Sequence, residues 1–177
     1  LPIYCVESEE KKVALSFDAA WGNDDTETLI KILDEYDAKA TFFVVGTWVD
    51  KYPESVKQLH EAGHQIMNHS NTHPYMTKID KVQKLDELTS CNNKIAEITG
   101  KSPTLFRPPY GDYDNETIET VEDMGMYTIQ WDVDSLDWKD NATAESICEK
   151  VTKKVKNGSI VLFHNDAEHT PEALPNI

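Results

Sequence analysis

Cysteine is scarce in this sequence. Cys5, Cys91 and Cys148 are the only three, they stand far apart, and they follow no metal-ligand spacing. A disulfide framework is excluded, at most one bridge can form, and free buried thiols are the expected state. Basic residues are few as well: 17 Lys and Arg stand against 32 Asp and Glu, for a net charge of −15. A phosphate backbone needs a stripe of Lys and Arg, so nucleic acid is excluded as a partner. Adhesion to an anionic membrane is disfavoured for the same reason. The acidic excess reads as a solvated surface. No apolar run approaches the ~20 residues of a membrane span. No signal peptide is visible, and the opening "LPIY" lacks Met, so removal of an upstream segment is expected. There is no internal repeat and no linker. One domain over residues 1–177, with a sizeable core, is expected. Nothing sets an oligomeric state, and a monomer is assumed.

What is present is alternation. Short runs rich in Val, Ile, Phe and Tyr predict strands at Val13–Asp18, Ala40–Val45, Gln65–Asn68, Thr104–Arg107, Tyr127–Trp131 and Ser159–His164. Amphipathic stretches lie between them. Leu29, Ile32, Leu33 and Tyr36 share one helical face. A second helix starts near Pro53 and stops at Gly63. A longer one carries Ile79, Val82, Leu85, Leu88, Ile95 and Ile98 toward the core and stops at Gly100. Further helices are predicted over Glu116–Met124 and Ser146–Val155. Strand–helix alternation implies an α/β fold with a parallel sheet, open or closed into a barrel. In both, ligands bind at the carboxyl ends of the strands.

The strand ends are where the chemistry-bearing residues gather. The first strand ends in Asp18. The third runs into "NHSNTHPYM" with His69 and His73. The fourth ends in Arg107, the fifth runs into Asp132, Asp134 and Asp137, and the sixth ends in His164. His69 and His73 are four apart, so on a helical turn both imidazoles would reach one metal ion; two surface histidines are the commoner meaning of such a pair. The polar residues around them and Pro74 favour a ligand loop. Zinc or another imidazole-tolerant divalent ion is implied, since soft ligands are absent. Arg107, stiffened by two prolines, suits a carboxylate held through two parallel hydrogen bonds, or a structural salt bridge. Trp138 either packs an apolar group of a substrate or caps the barrel. His164 closes the most hydrophobic strand, and a nearby carboxylate would raise its pKa toward working pH, as a general acid requires.

Five segments, "SFDAAWG", "HSNTH", "RPPYG", "DSLDW" and "LFH", resemble in order the five motifs of the polysaccharide deacetylases, also called the NodB-homology or carbohydrate esterase family 4 domain. The opening "LPIYCVESEEKKVALSFDAAWGN" is most similar to the branch of spore-forming bacteria. The resemblance implies a distorted (β/α) barrel with fewer than eight parallel strands. It implies a metal-dependent hydrolase that removes N-acetyl groups from cell-wall polysaccharide, peptidoglycan or chitin-like, or O-acetyl groups from xylan. It implies an extracellular or cell-envelope location. It also implies a further helix and closing strand beyond "TPEALPNI". By position, Asp18 matches the catalytic base, His69 and His73 the histidine ligands, Arg107 the residue that steadies the base, and the Tyr110 N–H the oxyanion donor. Asp137 matches the carboxylate that tunes the general acid, His164. Trp138 and Leu162 match the pocket for the acetyl methyl. One position departs: the family places a second Asp after the base as third ligand, and here Ala19 stands there. A methyl cannot coordinate, so the third ligand falls to Asp18 or water, with Asp24 and Asp25 further candidates, and weak metal occupancy is expected. Two other readings compete. One is a non-catalytic glycan-binding domain that has lost its metal. The other is a glycoside hydrolase using Asp18 with Asp134 or Asp137.

Overall fold

The computed structural model describes residues 1–177. Seven parallel strands are joined in the order β5-β4-β3-β2-β1-β7-β6: β1 Ala14–Ala19, β2 Thr41–Val44, β3 Gln65–Asn68, β4 Leu105–Phe106, β5 Tyr127–Thr128, β6 Val133–Asp134 and β7 Ile160–His164. The sheet curls into a half-barrel with helices outside, the α/β barrel with fewer than eight strands that the sequence implied. The run Tyr127–Trp131, expected as one strand, splits. Only Tyr127–Thr128 pairs with β4, and the chain then turns to start β6 beside β7. The N-terminal segment bridges Ile3 to Ile129 and Cys5 to Ser159 across that seam. All three cysteines are free, but only Cys91 is buried as expected; Cys5 is exposed and Cys148 half-buried.

Period-2 alternation in β1 sends Phe17 and Ala19 to the helix side and Ser16 and Asp18 to the barrel interior. Phe17 stacks on Phe42 and Phe163, with ring centroids 4.8 and 5.3 Å apart, and anchors the main apolar cluster. The helices are α1 Thr26–Glu35, α2 Gly46–Lys51, α3 Pro53–Glu61, α4 Lys81–Thr99, α5 Asn115–Asp123, α6 Ala144–Thr152 and α7 Thr170–Ala173. Local chemistry sets their ends. Pro53 opens α3. Asp80 and Gln83 form a capping box on α4, which stops at left-handed Gly100, and Thr143 with Ser146 forms another on α6.

The apolar face assigned to α4 is only half right. Leu88, Cys91 and Ile95 are buried, but Val82 and Leu85 are exposed and Lys84 is buried instead. The reason is a charge pair: Lys84 Nζ donates to Asp114 and Glu116 at the start of α5, at 2.8–3.0 Å. Asp114 also caps α5 through the Thr117 N–H. Lys84 can take the inward position in the first turns of α4 because two carboxylates compensate the desolvation of its ammonium.

Candidate active site

The carboxyl ends of the strands enclose a cavity of about 450 Å³ bordered by Asp18, His69, His73, Tyr110, Trp138, Leu162 and His164. Asp18 and His164 are register partners on neighbouring strands. Asp18 is buried, and Arg107 Nη1 donates to its Oδ1 at 2.9 Å. The expected pair of parallel bonds from Arg107 to one carboxylate does not form. Nη2 donates instead to the Gln130 carbonyl at 3.0 Å, so the fork ties Asp18 to the chain after β5. The guanidinium lies 4.2 Å from the Phe43 ring centroid and 5.6 Å from that of Trp131. Burial pushes the Asp18 carboxyl up, but the bonded Arg107 guanidinium and the charge of His164 outweigh it and hold it below its usual range.

The histidine loop after β3 is not a helical turn. Ser70 and His73 both take left-handed backbone angles, φ 68° and 65°. The loop is held from three sides. Gly46 and Thr47, at the start of α2, donate to the Ser70 and Asn71 carbonyls at 2.9 Å, and a Cβ at Gly46 would collide with Asn71 Oδ1. Glu87 of α4 accepts from the N–H groups of Asn71 and Thr72 and from the Thr72 hydroxyl. Ser70 Oγ accepts from the His73 N–H. The loop turns both rings to the cavity, 5.0 Å apart. Of the six non-glycine residues with left-handed φ, all but Asp37 stand in the rim loops: Ser70, His73, Tyr110, Leu136 and Asp166. Such strain concentrates where geometry serves a site.

His69 Nδ1 lies 2.7 Å from the Arg107 carbonyl. That contact fixes Nδ1 as the protonated nitrogen and leaves Nε2 bare toward the cavity, 3.5 Å from Asp18 Oδ2. Burial lowers the pKa of both histidines, that of His73 to about 4, so both rings are neutral. Two neutral, oriented imidazoles fit a divalent ion such as zinc. A third protein ligand is not in place, and no group of three His, Cys, Asp or Glu side chains is arranged around one point. Ala19 is fully buried in the main apolar cluster, and Ala20 borders the cavity instead. Asp24 is exposed, and Asp25 accepts from the Asp166 N–H at 2.7 Å; neither borders the cavity.

On the opposite wall, His164 Nδ1 lies 2.8 Å from Asp137 Oδ1. Asp137 Oδ2 accepts from the His164 N–H at 2.8 Å and from the Thr170 hydroxyl at 2.7 Å. Burial opposes a charged imidazole, but the hydrogen bond to Asp137 and its charge raise the His164 pKa above its usual value. Asp132, expected at this rim, is at the far end of β7, where it accepts from the Ser159 hydroxyl and the Ile160 N–H. Asp134 does border the cavity. Thr170 and Gln130 escaped the sequence reading, because neither residue type carries a signal outside its tertiary contacts. Thr170→Val removes one donor from Asp137, and its lone pair then binds the imidazolium more strongly. The His164 pKa should rise, Thr170→Ser should restore it, and the Val variant should lose roughly 1.5–3 kcal/mol of stability. Histidine NMR titration and denaturant unfolding check both.

The polysaccharide deacetylase family model matches residues 6–129. Among curated proteins, the chain is 34% identical to the uncharacterized protein YlxY of Bacillus subtilis, over 98% of this chain and 54% of that one. It thus spans about half the length of that relative. It is 36% identical to a peptidoglycan-N-acetylglucosamine deacetylase of Bacillus cereus, over 97% of this chain and 82% of that one. Among solved structures, wild-type BA3943 of Bacillus anthracis, described as a carbohydrate esterase family 4 pseudoenzyme, superposes with a TM-score of 0.95 at 34% identity, over 99% of this chain and 62% of that one. A mutant of that protein, described as having restored enzymatic activity, superposes equally well.

Proposed function

The chain belongs to the polysaccharide deacetylase family, and on that premise we propose that it is a hydrolase that removes N-acetyl groups from cell-wall polysaccharide and releases acetate. The observation that carries this reading is the pair Asp18 and His164, on adjacent strands of one cavity, each held by its own partner, Arg107 and Asp137. Asp18, ionised, takes the proton of the attacking water. The Tyr110 N–H donates to the oxygen that becomes negative. His164 is held through Nδ1, so Nε2 carries the proton that the leaving amine receives. Trp138 and Leu162 enclose the acetyl methyl. His69 and His73 are the side chains that would hold a divalent metal, with water completing the set, because Asp18 bound to the ion would not be free as the base. When bound, that ion supplies Lewis acidity and an acidified water. A location outside the cell or in the cell envelope follows from such a substrate. No helix in the chain is long and apolar enough to cross a membrane.

Ala19 favours a second reading, a glycan-binding domain without catalysis. One experiment separates the two. The protein is incubated with acetylated chito-oligomers and with peptidoglycan glycan strands, with added zinc or with chelator, and acetate is measured. Calorimetric zinc titration runs alongside, with His69→Ala as control. Acetate that disappears with chelator, and zinc binding at least about tenfold weaker in His69→Ala, support the deacetylase. Bound glycan without acetate supports the binding domain, and shortened sugars would mean a glycosidase.

A further inference from the structure

Beneath the histidine loop lies a pair of buried amides that the chemistry above leaves unused. Asn68 closes β3 and is fully buried, and Asn92 on α4 is buried opposite it. Their neighbours are apolar. Leu88, Phe106 and Met126 share one core cluster, Asn68 pairs with Phe106 across the sheet, and Asn92 Nδ2 lies 3.3 Å from Met126 Sδ. Two apolar side chains would avoid the desolvation of two amides at this place.

The polar atoms of Asn68 are all directed. Nδ2 donates to the Leu88 carbonyl at 2.9 Å and to Asn92 Oδ1 at 2.7 Å. Oδ1 accepts from the Ser70 N–H at 2.7 Å. The reverse orientation would set an oxygen against the Leu88 carbonyl and a nitrogen against the Ser70 N–H, so the partners assign the amide. An Asn oxygen that accepts from the N–H two residues on replaces a backbone turn. Here it holds Ser70 at its left-handed φ of 68°. Ser70 is fully buried, so its N–H has no water to turn to. Ser70 Oγ in turn accepts from the His73 N–H at 3.0 Å. One run of hydrogen bonds thus leads from α4 through Asn92, Asn68 and Ser70 to His73. The same helix also reaches the other histidine. Cys91 Sγ donates at 3.3 Å to the Val44 carbonyl, which accepts from the His69 N–H at 3.0 Å. The 19 residues of α4, closed by a capping box and a left-handed glycine, make it a regular base for such a loop.

We propose that Asn68, oriented by Asn92, is a positioning residue: it fixes the turn at Ser70 and, through that turn, the place of the His73 ring beside His69. Its consequence for catalysis rests on the metal-holding role of the two histidines given above, but the loop tests it without metal. Three variants separate positioning from packing. Asn68→Leu removes the acceptor for the Ser70 N–H. Asn92→Leu keeps that acceptor and loosens the amide that carries it. Asn68→Asp keeps an oxygen for Ser70 and loses stability by burying a carboxylate. In metal-free protein, NMR follows exchange of the His73 amide against that of Phe163 in β7, which reports global unfolding. That ratio should rise about tenfold or more in Asn68→Leu, about threefold in Asn92→Leu, and stay within about twofold of the unaltered protein in Asn68→Asp. Zinc alone, titrated by calorimetry, should bind Asn68→Leu about tenfold more weakly, and Asn68→Asp should restore the binding. An unchanged exchange ratio in Asn68→Leu overturns the inference; if that variant does not fold, an unchanged ratio in Asn92→Leu does so. Zinc affinity that follows the unfolding midpoint across the variants, and not the presence of an acceptor at position 68, also overturns it. If the exchange ratio responds and the unaltered protein binds no zinc, the metal reading fails and the role of Asn68 in the loop stands.

Discussion

Asp18→Asn and His164→Ala are each expected to lower turnover by roughly a hundredfold or more. The two residues take opposite protonation states in one cavity, and the surroundings set both. Arg107 and His164 keep Asp18 ionised, and Asp137 keeps the His164 proton. An amide at position 18 retains the shape and cannot accept the water proton. An alanine at 164 leaves the departing amine without a donor. The direction of the His164 shift also fixes a pH dependence. Its pKa is raised above the usual 6.5, so the protonated form persists above that value and activity should fall only as pH passes the raised value. Its contribution to stability has the same sign: fully present below the unfolded value and lost as pH climbs through the folded one. Acetate release across pH, with circular dichroism to confirm folding, measures this. Near wild-type rates from either variant would sink the acid–base assignment.

The second large effect belongs to Arg107. Its side chain is fully buried between aromatic rings and joins Asp18 to the Gln130 carbonyl. Arg107→Met leaves Asp18 desolvated without its counter-charge, and the expected loss is roughly 3–5 kcal/mol of stability. Arg107→Lys keeps a charge but not the planar fork, so it can serve Asp18 or Gln130 and not both. Folded Arg107→Lys should lose activity by about tenfold or more, because the base is no longer fixed in place. Denaturant unfolding of both variants, with acetate release per folded molecule, separates the two contributions. Unchanged activity per folded molecule would make Arg107 purely structural.

The strand–helix alternation, and with it the parallel α/β architecture, was legible in the sequence. So was the gathering of Asp18, His69, His73, Arg107, Asp137, Asp134 and His164 at one rim. Both follow from local chemistry: apolar periodicity selects the element, and a parallel sheet sends every strand's carboxyl end to one side. What the sequence could not determine depends on contacts between distant segments. The burial of Lys84 in place of Leu85 needs Asp114 and Glu116 from another helix. The fork of Arg107 divides between two partners because Gln130 arrives after β5. His69 and His73 converge through a loop strapped by Gly46, Thr47 and Glu87, not through a helical repeat. Asp132 and Asp137 lie five residues apart and end at opposite ends of β7, since β6 runs between them. In each case a polar group is placed by the partner that compensates its desolvation, and that partner is far away in the chain. The sequence by itself determined which groups are available and at which end of the sheet most of them stand. Only the tertiary structure decided how they pair.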